Sequence, residues 1–237
     1  MRKLFTRLLP PASPRTDDLK ARLGTKVLQE KSETADTVFV HIHKCAGTSL
    51  IEALALSPRV ICCVARPGDF PNRTGRERIP DHIWKRAKKF TFVRHPYERV
   101  LSAYNMFMKS EKWRLTFRDF SGFLQFLRWI DLKNHRVEEE IVTSDYVSSI
   151  DNVIHHCACY TNPKYMLDQM DFVGRLESFD KDYDRLKKEF GIELPKPKRL
   201  NVSQRIGNEG VLSISEANKK LIRAIYADDF DALKYET

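Results

Sequence analysis

Apolar positions in this chain fall into a few short unbroken runs, and between them the period changes to that of a helix. Val38, Phe39, Val40 and Ile42 form one run, Arg59 to Val64 holds a second, and Phe90, Thr91, Phe92 and Val93 form a third. Continuous β-branched and aromatic runs of this length predict strands of a parallel sheet covered on both faces. Helical spacing follows at Val100, Leu101, Tyr104 and Met108, and again at Phe117, Phe120, Phe123, Leu124, Leu127 and Ile130. The second of these series reads as one core-facing amphipathic helix. Phe179, Tyr183, Leu186 and Phe190 predict a helix ended by Gly191. A final helix is expected from about Ser215, carrying Leu221, Ile222, Ala224 and Ile225. The expectation is an α/β fold with a central parallel sheet flanked by helices, its first strand–helix–strand unit crossing over right-handed. Residues 65–80 hold three prolines, two glycines and mixed charges, and read as a surface loop bordering a substrate. Residues 131–170 carry no clear period.

Two of the strands end in cationic turns. The first turn is His43-Lys44-Cys45-Ala46-Gly47-Thr48-Ser49. Its small side chains let a phosphate approach backbone N–H groups, and the helix beginning near Thr48 aims its free N–H groups at the same anion. Lys44 adds a full charge, and Thr48 and Ser49 add hydroxyls that can also cap the helix. The second turn is Arg94-His95-Pro96, where Pro96 suits the first turn of a helix and Arg94 can grip a phosphate with its planar fork. Ser102 lies two turns into that helix. Turns of this kind at the ends of neighbouring strands would suit a ligand with two separate anionic groups.

This is not a Walker A loop, in which Lys follows the second Gly. Here Lys44 precedes Gly47, and no clear apolar run ends in an Asp suited to magnesium. A metal-dependent nucleotide kinase is therefore the weaker alternative, since such enzymes manage phosphoryl charge with that ion. No metal site is expected.

Charge and cysteine usage narrow the picture further. The chain has 237 residues and a net charge of +9, with 42% hydrophobic and 11% aromatic residues. Those values describe a globular protein that favours anionic partners. A non-enzymatic basic module binding anionic polymers remains a second alternative, but no DNA- or RNA-binding motif is visible and no nucleic-acid partner is expected. The five cysteines, Cys45, Cys62, Cys63, Cys157 and Cys159, show no paired zinc spacing, and buried thiols in a reducing compartment are expected. No apolar stretch is long enough to span a bilayer, and residues 1–9 are too short and too charged for a secretory signal. Residues 1–35 are expected to be a flexible basic tail and lead-in helix, with weak membrane contact through residues 1–9 as a minority reading. Residues 36–237 are expected to form one domain.

The segment His41-Ile42-His43-Lys44-Cys45-Ala46-Gly47-Thr48-Ser49-Leu50 resembles the 5′-phosphosulfate loop of sulfotransferases that use 3′-phosphoadenosine 5′-phosphosulfate (PAPS). Phe92-Val93-Arg94-His95-Pro96-Tyr97-Glu98-Arg99-Val100-Leu101-Ser102-Ala103-Tyr104 resembles the 3′-phosphate site of that family. Asp171 to Glu177 resembles its late strand, and Leu200-Asn201-Val202-Ser203 its cofactor-closing loop. The similarity is to the carbohydrate sulfotransferases of sulfotransferase family 2, and implies a P-loop-like sulfotransferase fold. It implies that Lys44, Cys45, Ala46, Gly47, Thr48 and Ser49 hold the phosphosulfate, that Arg94 and Ser102 hold the 3′-phosphate, and that Arg199 and Ser203 cap the donor. It also implies transfer of the sulfuryl group to a hydroxyl of a glycan or glycolipid, with Lys44 stabilising the leaving phosphate. Relatives often have Pro at the position of His43 and Thr at that of Cys45, and an Asp or Asn is common where His95 stands. The general base stays open among His43, Asp69, Glu77, His82, His155 and His156, with His82 ranked first. Family members in the Golgi carry an N-terminal membrane anchor, so a cytoplasmic, bacterial enzyme is expected here.

Overall fold

The structure, a computed structural model, describes residues 34–55, 57–64, 74–132, 136–137, 144–195, 197 and 214–236. In chain order its elements are β1 (Thr37–His41), α1 (Gly47–Ala55), β2 (Val60–Val64), β3 (Thr74–Gly75), α2 (Asp81–Arg86), β4 (Lys88–Val93) and α3 (Pro96–Phe107). They continue with α4 (Glu111–Phe117), α5 (Phe120–Leu127), β5 (Ile130–Asp131), β6 (Arg136–Val137) and α6 (Ser144–Cys157). The chain closes with β7 (Phe172–Arg175), α7 (Phe179–Phe190), α8 (Glu216–Ile225) and α9 (Ala227–Leu233).

The described residues fall into two compact units, one within Ser13–Arg94 and Lys164–Val202, the other within His95–Pro163 and Ser203–Thr237. The first contains the sheet. Its five strands lie in the order β3-β2-β1-β4-β7, all parallel. β1 and β2 are buried at every position, as their unbroken apolar runs require. One face is filled by aromatic rings: Phe39 and Phe90 lie 5.1 Å apart, Phe90 and Phe190 5.8 Å, and Phe92 and Phe172 6.3 Å. Burying each such ring contributes roughly 2–3 kcal/mol, so this packing outweighs any single polar contact in the sheet. Gly174 belongs to the same packing, because a Cβ there would come within 2.4 Å of the Phe92 ring. The opposite face packs Val38, Val40, Ile61 and Cys63 against Ile79, Ile83 and Trp84.

Polar contacts also tie the strands of this unit to their neighbours. Thr91 Oγ1 donates to the Val40 carbonyl at 2.7 Å, locking β4 to β1. The buried Asp182 carboxylate on α7 accepts from the Arg175 N–H and the Ser178 hydroxyl, each at 2.8 Å, which holds the exit of β7 against its helix.

The second unit is helical, with a core that joins Val100, Phe107, Phe123, Leu127, Ile154, Ile222 and Phe230. Two charged side chains, Asp229 and Arg99, are buried in this unit. Asp229, fully buried, accepts from the backbone N–H of Tyr160 at 2.8 Å and of Thr161 at 3.1 Å. Arg99, 3% exposed, donates to the Ala158 carbonyl at 2.7 Å and stacks 4.2 Å over the Tyr160 ring. Burial pushes the Asp229 carboxyl above its ordinary range, while the charge of Arg99 and the hydrogen bonds pull it back.

The single amphipathic helix expected through Phe117–Ile130 is a correction. Arg118 takes a left-handed φ of 61° and Asp119 caps a new helix by accepting from Gly122 N–H, so Phe117 closes α4 while Ile130 opens a short strand. The loop expected at 65–80 likewise contains an edge strand, β3, whose two residues are too few to show a period. Residues 1–33, which hold the expected tail and most of the lead-in segment, lie outside the described residues.

Candidate functional site

Parallel strands place their C-terminal ends on one side, and ligands of open α/β sheets bind beyond those ends. Here β1 ends at His41 and leads into the Lys44 turn, while its neighbour β4 ends at Val93 and leads into Arg94. The two cations expected from sequence therefore extend adjacent strands on the same side of the sheet. Both are partly exposed.

The Lys44 turn has a backbone that its residue types do not announce. Lys44 has φ 68° and Ala46 φ 56°, both left-handed, and neither is glycine. Each such residue stores about 1 kcal/mol or more, and conformations of this kind gather at ligand-binding turns. Left-handed residues alternating with ordinary ones turn successive N–H groups inward, forming an anion-binding concavity. Leu50 N–H donates to the Ala46 carbonyl at 3.1 Å, which makes Ala46 the start of the helical ladder. The N–H groups of Gly47, Thr48 and Ser49 precede that ladder, in the first turn of α1.

Gly47 is required by close approach. A Cβ built on it would lie 1.8 Å from His41 Nε2 and 2.0 Å from Cδ2. The His41 ring is 4% exposed and sits edge-on to the His43 ring, centroids 4.6 Å apart. His43 itself is 6% exposed, and its carbonyl accepts from the Cys45 thiol at 3.6 Å. Cys45 thus turns its side chain into the loop, leaving only its backbone to face a ligand. Thr48 is partly exposed and Ser49 is buried.

At the second turn, His95 is the N-cap of α3: its Nδ1 accepts from Tyr97 N–H at 3.3 Å, and its ring lies 4.8 Å from that of Tyr235. Sequence reasoning drew nothing from His95, although a polar residue directly before Pro at N1 is the signal for a cap. Ser102 is partly exposed on α3, in the helical unit. His82 is exposed on α2, whose far end feeds the N-terminal end of β4, and no described contact brings it to Lys44. His155 is buried and His156 half-buried in the last turn of α6, where His156 packs edge-on to Phe107. Arg199 and Ser203 lie outside the described residues, as does Asp69. Glu77 is exposed in the short turn after β3.

Burial pushes the Cys63 thiol up to about 12, so it stays protonated at neutral pH. A cavity of about 340 Å³ lined by Ser57, Arg59, Gly191 and Glu193 precedes β2 and follows α7. It lies at the opposite end of the strands from Lys44 and Arg94. Among the described residues no group of three or more His, Cys, Asp or Glu side chains is placed to hold a metal ion.

A parallel sheet flanked by helices, with Lys44 and Arg94 following the C-terminal ends of two neighbouring strands, defines the chain as an α/β protein. The comparison with known families specifies which: the sulfotransferase family model (sulfotransferase family 2) matches residues 32–236, and the chain belongs to that family. Its members transfer sulfonate groups, so a sulfotransferase activity and a sulfonate donor follow from membership. Searches of curated proteins and of solved structures returned no match. No helix among the described residues is long and apolar enough to cross a membrane.

Proposed function

We propose that the protein transfers the sulfuryl group of PAPS to a hydroxyl of a carbohydrate or glycolipid acceptor. The observation that carries this reading is the placement of Lys44 and Arg94 beyond the ends of adjacent parallel strands. A donor with one anionic group at each end of an adenosine would engage both. The left-handed Lys44–Ala46 backbone and the first N–H groups of α1 suit the 5′-phosphosulfate. Lys44 stabilises the charge left on the phosphate as the sulfuryl group departs, a task for a fixed cation. Arg94, with Ser102 as the family resemblance suggests, holds the 3′-phosphate. When bound, PAPS supplies the activated sulfuryl group, and the protein contributes position and charge. Five cysteines, all buried free thiols, support a reducing, cytoplasmic setting.

The test is a pair of measurements. 3′-Phosphoadenosine 5′-phosphate (PAP) should raise the melting temperature where ATP with magnesium does not, since only a ligand that prefers the native state stabilises it. Incubation with sulfur-labelled PAPS and a panel of glycan and glycolipid acceptors should label one class. Lys44→Gly accommodates the left-handed φ without strain and removes the cation together with its side chain. It should lower turnover by about 10²- to 10³-fold with a smaller change in PAP affinity. Unchanged turnover in a folded Lys44→Gly protein would remove Lys44 from the chemistry.

A further inference from the structure

α4 and α5 turn Trp113, Phe117, Phe123, Leu124 and Leu127 into the core of the helical unit, and pack on each other where the Phe117 ring meets Phe123 at 4.9 Å and Phe126 at 5.2 Å. Away from that core stand Leu115, 59% exposed, and Trp129, 53% exposed, the large apolar side chains left in water among the described residues. A single exposed leucine or tryptophan needs no explanation. The charges around these two do. Residues 109–129 carry Lys109, Lys112, Arg114, Arg118 and Arg128 against Glu111 and Asp119, and the next two charges in sequence, Asp131 and Lys133, cancel. Lys112 is half-buried with its ammonium over the Trp113 ring, and Asp119 caps α5; the three arginines are exposed. Among the described residues Arg114, Arg118 and Arg128 have no ion pair and no side-chain hydrogen bond. On α8, which meets α5 through the Ser121 hydroxyl on Asn218, Lys219 is taken by Glu216, while Lys220 and Arg223 add positive charge.

Guanidinium groups beside an indole and an aliphatic side chain match one kind of surface: anionic headgroups over a hydrocarbon layer. Tryptophan settles at headgroup level, and arginines are drawn to the negative surface beneath them. Such a surface is flat and adapts its shape, so it takes side chains from two helices without a preformed groove. We infer that the α4–α5 hairpin docks the protein on anionic lipid, with Trp129 and Leu115 entering the headgroup layer and Arg114, Arg118 and Arg128 meeting lipid phosphates. The contact is peripheral, not spanning. It is independent of the donor reading above, and distinct from the contact expected through residues 1–9.

The test is co-sedimentation and fluorescence of the full chain with vesicles of phosphatidylcholine, alone or mixed equally with phosphatidylglycerol. The chain has three tryptophans, and Trp84 and Trp113 are buried at 5% and 7% exposure, so a change of emission on docking reports Trp129. The mixed vesicles should bind the protein, shift its emission to the blue and shield it from acrylamide, and added salt should weaken the binding. Phosphatidylcholine alone should hold it about tenfold more weakly, or less. Arg114→Gln, Arg118→Gln and Arg128→Gln combined should lower partitioning by about 10²-fold, roughly fivefold for each cation. Leu115→Gln with Trp129→Gln should lower it by about tenfold. Trp129→Phe should still bind but lose the emission shift. If a variant fails to fold, the wild-type emission still decides. No binding to the mixed vesicles, or equal binding to phosphatidylcholine, overturns the inference. Binding with unaltered emission also overturns it, because another basic segment then makes the contact. So does unchanged partitioning in the folded triple arginine variant or the folded Leu115→Gln, Trp129→Gln variant.

Discussion

Gly47→Ala is the sharpest single test of the phosphosulfate turn. The added Cβ would lie 1.8, 2.0 and 2.8 Å from three atoms of the His41 ring. Ordinary carbon contacts begin near 3.5 Å, so the ring must retreat by roughly 1.5 Å. It has little room: it is 4% exposed, with Phe39 at 6.1 Å and His43 at 4.6 Å between ring centres. Overpacking of this kind costs about 1–3 kcal/mol, and the better helix propensity of Ala in α1 returns at most about 1 kcal/mol. The net loss is about 1–2 kcal/mol, or a fall in Tm of about 2–8 °C for a chain of this size. His41→Ala removes the obstacle. Thermal unfolding of the wild type, both single variants and the double variant gives the coupling, expected at about 1 kcal/mol or more in favour of the pair. PAP should stabilise the double variant more than Gly47→Ala alone, because the turn regains its shape. Additive single effects, or a Gly47→Ala protein as stable as the wild type, would refute the packing argument.

Asp229→Ala should cost about 1–3 kcal/mol in urea unfolding, because it leaves the N–H groups of Tyr160 and Thr161 without their carboxylate acceptor; a loss under about 0.5 kcal/mol would count against that arrangement. The folded-state Asp229 carboxyl titrates above its ordinary 3.8, so its contribution is fully present below that value and is lost as pH rises through the folded one. Asp229→Asn should flatten that part of the stability–pH curve, and an unchanged curve would contradict it. Burial, with Asp184 assisting, pushes the Tyr183 phenol up to about 12, and its hydroxyl donates to the Pro195 carbonyl at 2.9 Å. Ultraviolet titration of Tyr183→Phe should therefore lose absorbance change near pH 12 while keeping that near pH 10. Asp182→Ala strips acceptors from Arg175 N–H and Ser178 and should cost about 1–3 kcal/mol, read as a lower urea midpoint.

β1, β2 and β4 were legible because they carry unbroken apolar runs, and Phe179–Phe190 ends at Gly191 as its composition demands. The cationic turns were legible because charge and small residues sit directly after those runs. The left-handed geometry of Lys44 and Ala46 was not, since glycine is the residue that signals it and Gly47 stands one position too late. Nor was the break at Arg118, where apolar residues on both sides continue one helical period across two helices. His95 is a different case: Pro96 directly after it already signals a cap, and the Nδ1 accepting from Tyr97 N–H identifies it. The place of His82 depends on where α2 lies beside the sheet, which no local pattern encodes.

The twisted backbone at Lys44 and Ala46 has a consequence for how quickly and how selectively the protein can respond to its donor. Because folding alone holds that corner in its unusual shape, little ordering is left for an incoming molecule to accomplish. If the proposed donor binds at this turn, an anion that matches the ready-made curve should dock without a prior rearrangement of the chain.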